Sequence, residues 1–348
     1  PLGIGGNAGL DATLTLNVGD GIEISSSGVG SFIAIGGVSA APLTAIGGSS
    51  TGAAAGNGGS IEIVTDDDTT NDVTDSSITI GLAGAADNAL SSDLTTSGGS
   101  STGGGAGDTG GNAGPIFITT GTPPAGALNT DSDIIVYTNS NLTANGGAGN
   151  ATTGAAVKGG GNAGNVTITT NGSDSDATID SDIFAIGGAA GTFGGEGGNG
   201  GIVTVTTDSN GTGLLIDGAD IFVSHINASG GSAAGAAATD DGGTGGSVAL
   251  TADPDDDNDR GNVIVRGRPG TFGNALQANG GNATGALGSG GPGGSINTQS
   301  ARGLFDEPTQ GLYGVPNGVL VIYDDFMATG GTGTTTQLYG PGGSIQLN

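Results

Sequence analysis

Residues Gly159-Gly-Gly-Asn-Ala-Gly-Asn-Val-Thr-Ile-Thr-Thr170 read as a glycine run followed by a short alternating strand. The alternation puts Val166 and Ile168 on one face and Thr167 and Thr169 on the other, the period of a half-buried strand. Variants recur along the chain: Gly58-Gly-Ser-Ile61-Glu-Ile63, Gly114-Pro-Ile116-Phe-Ile118, Gly200-Gly-Ile-Val203-Thr-Val205, Gly246-Ser-Val248-Ala-Leu250, Gly294-Ser-Ile296 and Gly343-Ser-Ile345-Gln-Leu347. From Ile61 the steps are 55, 50, 37, 45, 48 and 49 residues, with a mean near 47. A looser copy, ending Leu14-Thr-Leu16, lies near the start.

Two further elements follow each unit. One is a short apolar run, usually introduced by Asp or Gly: Asp20-Gly-Ile-Glu-Ile24, Asp133-Ile-Ile-Val136, Asp182-Ile-Phe184, Asp220-Ile-Phe-Val223 and Val319-Leu-Val-Ile322. The other leads through a small residue into a glycine pair: Ile33-Ala-Ile-Gly-Gly37, Leu142-Thr-Ala-Asn-Gly-Gly147, Ile226-Asn-Ala-Ser-Gly-Gly231, Leu276-Gln-Ala-Asn-Gly-Gly281 and Phe326-Met-Ala-Thr-Gly-Gly331. Three short strands per repeat, stacked in one order, predict an all-β chain: a parallel β-solenoid of about seven repeats with long glycine-rich loops, forming one domain over 1–348. Each strand would bond its equivalents in neighbouring coils, and aliphatic side chains would form columns. The Gly, Thr and Asn content opposes helix. The glycine stretches recur in register, so they are expected to stack as extended, polyproline-II-like layers.

Composition narrows the function. The chain has 348 residues, 79 of them Gly, and a formal charge of −28, with 33 Asp and Glu against five Lys and Arg. No basic patch can form to neutralise phosphates, which excludes a nucleic-acid partner, and docking on anionic lipid is disfavoured. An acidic surface attracts divalent cations or basic partners and repels copies of itself at low salt. There is no Cys, so neither disulfides nor thiolate chemistry is available. No apolar run is long enough to insert in a membrane. No signal peptide is evident, and a chain opening at Pro1 reads as a processed form or a fragment.

Units such as Gly161-Asn-Ala-Gly-Asn-Val-Thr-Ile168, followed by an Asp-introduced strand and an Ile-x-Ala segment, resemble the repeats of filamentous-haemagglutinin-like, two-partner-secreted exoproteins. The resemblance spans nearly the whole chain. It implies a right-handed parallel β-helix exported to the cell surface, serving as an adhesin or a structural filament. The amino-terminal secretion domain of that family is not evident, and the glycine loops are longer than its norm.

Catalytic chemistry finds little support. Glycoside hydrolysis requires two carboxyl groups at a defined separation, and the candidates are Asp217/Asp220, Asp240/Asp241 and Asp324/Asp325. A lyase base would come from Lys158, Arg260, Arg266, Arg268 or Arg302, and the arginines near 260–268 are expected to pair with Asp255 to Asp259. His225 is the only histidine, so no Ser-His-Asp system is indicated. The carboxylates read as turn and surface groups, and no catalytic or cofactor-binding residue is assigned.

Oxygen-ligand runs make Asp66, Asp67, Asp68, Asp255, Asp256 and Asp257 candidate calcium ligands. Seven Asn-x-Ser/Thr sequons start at Asn141, Asn150, Asn165, Asn171, Asn210, Asn227 and Asn282. No cap is visible at either end of the repeat array, which leaves Leu14, Leu16, Ile345 and Leu347 as expected assembly residues. The resulting expectation is a non-enzymatic, extracellular subunit that binds copies of itself head to tail in a filament or surface layer. The stalk of a secreted adhesin facing surface polysaccharide is the alternative, ahead of a polysaccharide-active enzyme.

Overall fold

The structure, a computed structural model, describes residues 2–5, 12–17, 21–27, 31–36, 41–51, 53–66, 76–83, 91–102, 108–121, 132–149, 159–172, 175–192, 194–208, 219–235, 240–254, 261–267, 275–285, 288–300, 319–333 and 339–348. Every regular element among them is a strand, and none is a helix.

The glycine-strand units form one nine-stranded sheet. Its order is Ala12–Asn17, Gly21–Ser27, Ser60–Asp66, Ile116–Thr119, Val166–Asn171, Ile202–Asp208, Ser247–Ala252, Ser295–Gln299 and Ser344–Leu347. From Gly21–Ser27 onward all neighbours are parallel. Ile61, Ile116, Val166, Val203, Val248, Ile296 and Ile345 are successive register partners, so the spacing counted from the sequence is the pairing register itself. Ile63, Ile118, Ile168, Val205, Leu250, Thr298 and Leu347 form a second column on the same face, following the two-residue period.

Between visits to this sheet the chain runs through a thirteen-stranded second sheet. One row places Ile33, Ile78, Ile134, Ala177, Ile221, Val263 and Leu320 in register. The next row places Leu43, Leu94, Leu142, Ile183, Ile226, Leu276 and Phe326 in register. In the long strand Ala177–Phe184 the two rows fuse, with a register shift between Ile179 and Asp182. Residues of both sheets meet in one apolar cluster, in which Ile61, Ile116, Ile134, Leu142 and Ile168 are fully buried. Full burial of one such aliphatic side chain stabilises by about 1.5–3 kcal/mol. A single pass has nothing to bury its apolar face against, so passes stabilise one another.

Three repeat assignments change. Asp20-Gly-Ile-Glu-Ile24 belongs to the glycine-strand sheet, where Ile22 and Ile24 oppose Ile61 and Ile63. Ile33 and Ile35 lie in the first row of the second sheet, opposite Ile78 and Ile80, although a glycine pair follows them. Ile183, expected beside Ile134 and Ile221, instead pairs with Leu142 and Ile226. The opening copy also departs from the expected parallel, unpaired strand. Ala12–Asn17 pairs antiparallel with Gly21–Ser27, Leu14 opposite Ile24 and Leu16 opposite Ile22. Leu2–Gly5 likewise folds back antiparallel on Phe32–Ile35.

The described parts of the glycine stretches are bonded layers. Gly99, Gly147, Gly188, Gly231 and Gly281 lie in one layer, and Gly111, Gly161, Gly198, Gly243 and Gly291 lie in a second. Gly147 N–H donates to Gly111 O, Gly161 to Gly147, Gly188 to Gly161 and Gly198 to Gly188, each at 2.8 Å. The relay continues through Gly231, Gly243, Gly281, Gly291, Gly331 and Gly340. The alternate glycines bond along each layer to the next pass, as Gly146 N–H does to Ile186 O and Gly160 N–H to Glu196 O, both at 2.9 Å. These backbone donors are satisfied without β-pairing. Glycine is required because the layers touch backbone to backbone: a Cβ on Gly161 would collide with the carbonyl of Gly111.

Candidate functional site

Several of the polar residues singled out in the sequence bond the backbone of a neighbouring pass. The Asp that introduces a second-sheet strand accepts a backbone N–H from the next pass. Asp133 Oδ1 accepts from Asp176 N–H, Asp176 Oδ1 from Asp220 N–H, and Asp220 Oδ1 from Asn262 N–H, each at 2.8 Å. Asn262 Oδ1 continues the ladder by accepting from Val319 N–H at 2.7 Å. An exposed asparagine ladder does the same on the second glycine layer: Asn57, Asn112, Asn162 and Asn199 each accept the N–H of the residue one pass on, at 2.8–2.9 Å. These ladders tie passes together at the turns, where strand bonding stops.

The described carboxylates of the candidate pairs accept backbone N–H groups. Asp240 is fully buried, and its Oδ1 accepts Gly195 N–H at 2.7 Å. Asp241 Oδ1 accepts Ser289 N–H at 2.7 Å, and Asp324 Oδ1 accepts Asp325 N–H at 2.8 Å. Asp220 belongs to the ladder, and Asp217 lies outside the described residues.

His225 lies in the strand Ile221–Asn227, in register with Asp182 of the preceding pass. Its Nδ1 is 3.4 Å from Asp182 Oδ1, its Nε2 is 3.4 Å from Gln277 Nε2, and its ring meets Phe184 edge-on at 5.8 Å. Arg266 was expected to pair within 255–259. Asp255 to Asp259 lie outside the described residues; among those described, the Arg266 Nη1 lies 3.2 Å from Asp180 Oδ1, and its guanidinium sits 4.6 Å above the Phe222 ring. The cause is the parallel stack: the strand Ala177–Phe184 and the strand Val263–Val265, which Arg266 follows, flank Ile221–Asn227, so residues 86 positions and two passes apart meet across it. Lys158, Arg260, Arg268 and Arg302 lie outside the described residues.

Of the calcium candidates, Asp67, Asp68, Asp255, Asp256 and Asp257 lie outside the described residues, and Asp66 is described only as the backbone end of its strand. Among the described residues no group of three or more His, Asp or Glu is placed to hold a metal. A thermal melt with and without chelator tests the calcium expectation, and an unchanged midpoint dismisses it.

Five of the seven sequons are described. Asn165 and Asn282 are exposed, with their Oδ1 atoms accepting Ile202 N–H at 3.0 Å and Thr332 N–H at 2.8 Å. Asn141 and Asn227 also use Oδ1 as an acceptor, while Asn171 donates its Nδ2 to Thr120 O. Asn150 and Asn210 lie outside the described residues.

Two features escaped the sequence reading. Ser31, Ser76, Ser132 and Ser175 form a fully buried hydroxyl file at the corner between the sheets. Ser31 Oγ is 3.2 Å from Ser76 Oγ, and Ser132 N–H donates to Ser175 Oγ at 2.9 Å. An open groove also runs beside the glycine-strand sheet, bordered by Gly200, Ile202, Gly245, Ser247, Gly293, Ser295 and Ser344. Among the described residues it is lined by no charged or aromatic side chain.

The nine-stranded sheet has Ala12–Asn17 at one edge and Ser344–Leu347 at the other. In the last pass the column members Ile345, Leu347 and Ile322 are 45%, 49% and 38% exposed, against 0–1% for Ile296 and Val265 one pass earlier. No known protein family, curated protein or solved structure matches the chain.

Proposed function

We propose that this chain is a structural scaffold: a parallel β-solenoid of about seven repeats, near 47 residues each, whose passes continue by stacking into an extracellular filament or surface layer. The single observation that carries the reading is the exposed apolar face of the last described pass. There the columns reach the exposed Ile345, Leu347 and Ile322, with Ser344–Leu347 the last described strand of its sheet. Such an edge is a template for another strand. The surface best fitted to it is another pass of the same cross-section, supplied by a further copy. The resemblance to filamentous-haemagglutinin-like exoproteins supports a right-handed helix and an extracellular site. Carboxylates and amides committed to backbone N–H groups favour a scaffold over catalysis.

The same edge also supports the stalk reading, in which the next pass comes from a longer form of the same polypeptide. Negative-stain electron microscopy and light scattering of the purified chain, over a concentration series in 0.1 and 1 M NaCl, test the assembly. Filaments one solenoid wide are expected. Monomers throughout would defeat the filament reading and leave the stalk.

A further inference from the structure

We propose that the outward face of the glycine-strand sheet, from Ile116–Thr119 to Ser295–Gln299, is a lateral docking surface for a second copy of this chain. The contact lies along the side of the solenoid and does not depend on stacking of its ends. On these strands the inward residues are buried, so the alternate ones point outward. One outward column holds Thr119, Thr169, Thr206 and Thr251 as successive register partners. The column beside it runs from Phe117 through Thr204 to Asn297.

Charge distribution selects the occupant. The chain carries a formal charge of −28, so a second copy is repelled by most of its surface. The outer side of the second sheet carries Asp180, Asp182 and Arg266, and its turns carry Asp133, Asp176 and Asp220. The glycine-strand sheet differs. Glu23 and Glu62 occupy the middle outward column in the early passes, and Phe117 replaces them in the next. From Phe117 to Gln299 both columns are uncharged, and Asp208 stands only at the last position of its strand. The face also exposes apolar surface in mid-stack: Phe117 is 37% and Ile202 48% exposed. β-Branched outward residues of two such sheets can pack about 10 Å apart, as facing sheets do.

Five strands about 4.8 Å apart, each with outward residues over some 13 Å, present roughly 400 Å². A stable complex buries about 800 Å² per partner. Single copies therefore pair weakly, and copies joined in a row would pair more tightly by presenting several faces at once. The same patch meets itself, so the contact is isologous. Thr204 lies on the middle strand of the five and in the middle column, so a two-fold axis through the centre sets it opposite its own copy.

The chain has no cysteine, so one engineered thiol reports the contact without background. Thr204→Cys is placed in the Ile345→Lys, Leu347→Lys background, which removes the apolar end, and treated in 1 M NaCl with a bismaleimide that spans about 10 Å. Cross-linked dimers and nothing larger are expected, increasing with protein concentration. Thr178→Cys, on the outer side of the second sheet beside Phe222, should stay monomeric. Adding Thr206→Asp to Thr204→Cys should cut the dimer yield at least fivefold with the circular dichroism spectrum unchanged. Equal yields from Thr204→Cys and Thr178→Cys would show random collision and overturn the proposal, as would monomers from both at every concentration. Monomers accompanied by retardation in a neutral-polysaccharide gel, relieved by Thr206→Asp, would overturn it too and assign the face to glycan.

Discussion

Gly161 donates its N–H to the carbonyl of Gly147 at 2.8 Å, while its Cα faces the carbonyl of Gly111 with no room for a side chain between them. Gly48 occupies the facing layer, that of Gly99 and Gly147, in an early pass, yet a Cβ there meets nothing within 4 Å. The two glycines should therefore answer the same substitution with opposite signs. Gly161→Ala forces two backbones apart and should destabilise by about 1–3 kcal/mol, the range for overpacking. Gly48→Ala removes only unfolded-state freedom and should be neutral or stabilising by up to about 1 kcal/mol. Urea denaturation of both variants checks this. Equal losses would mean the layers are not in backbone contact.

Thr298 interrupts an aliphatic column between Leu250 and Leu347, fully buried with no partner for its Oγ1. Thr96 is equally buried, but its Oγ1 donates to Gly114 O at 2.6 Å. Removing an unsatisfied buried hydroxyl gains about 1 kcal/mol or more, whereas removing a bonded one strands its acceptor. Thr298→Val should raise the urea midpoint and Thr96→Val should lower it. A loss on Thr298→Val would show that the hydroxyl is satisfied in solution.

The glycine-strand sheet was readable from sequence because its signal combines a glycine break with strict alternation, and both recur at every pass. Its register followed from counting from Ile61 to Ile345. Assignments failed where two signals compete. Asp182 looks like the strand-introducing Asp133 and Asp220, yet it sits inside a long strand whose two rows have fused. Ile33-Ala-Ile precedes a glycine pair as the second row does, but its partners are Ile78 and Ile80. Leu14-Thr-Leu16 reads identically in either direction, since a two-residue period carries no polarity, and so the reversed pairing was invisible. The Ser31–Ser175 file was hidden because a buried serine and a turn serine look alike amid this much Ser, Thr and Gly.

The aspartate ladder separates hydrogen bonding from charge. Asp220 Oδ1 accepts both the backbone N–H and the Nδ2 of Asn262, at 2.8 and 2.9 Å, directly beyond the carboxylate of Asp176. Asp220→Asn keeps an acceptor and removes one of two neighbouring like charges, so stability should hold within about 0.5 kcal/mol. Asp220→Ala strands the Asn262 donors and should lose about 1–2 kcal/mol. Thermal melts of both variants at low and high salt read the difference. Equal losses would assign the role to the charge itself.

Self-association has a predictable salt response. Each copy carries a formal charge of −28, while the last pass presents apolar side chains at Ile345, Leu347 and Ile322. Repulsion between copies opposes assembly at low ionic strength. It fades as the screening length falls from about 10 Å at 0.1 M to about 3 Å at 1 M salt. Burial of the apolar end is not screened, and sulfate strengthens it by exclusion from the surface. Light scattering should therefore show assembly increasing from 0.1 to 1 M NaCl and further in ammonium sulfate. Ile345→Lys with Leu347→Lys should abolish it at every salt concentration. That double variant should change the urea midpoint little, because both side chains are already about half exposed. Assembly that weakened as salt rose would point to an ion-paired contact in place of the apolar one.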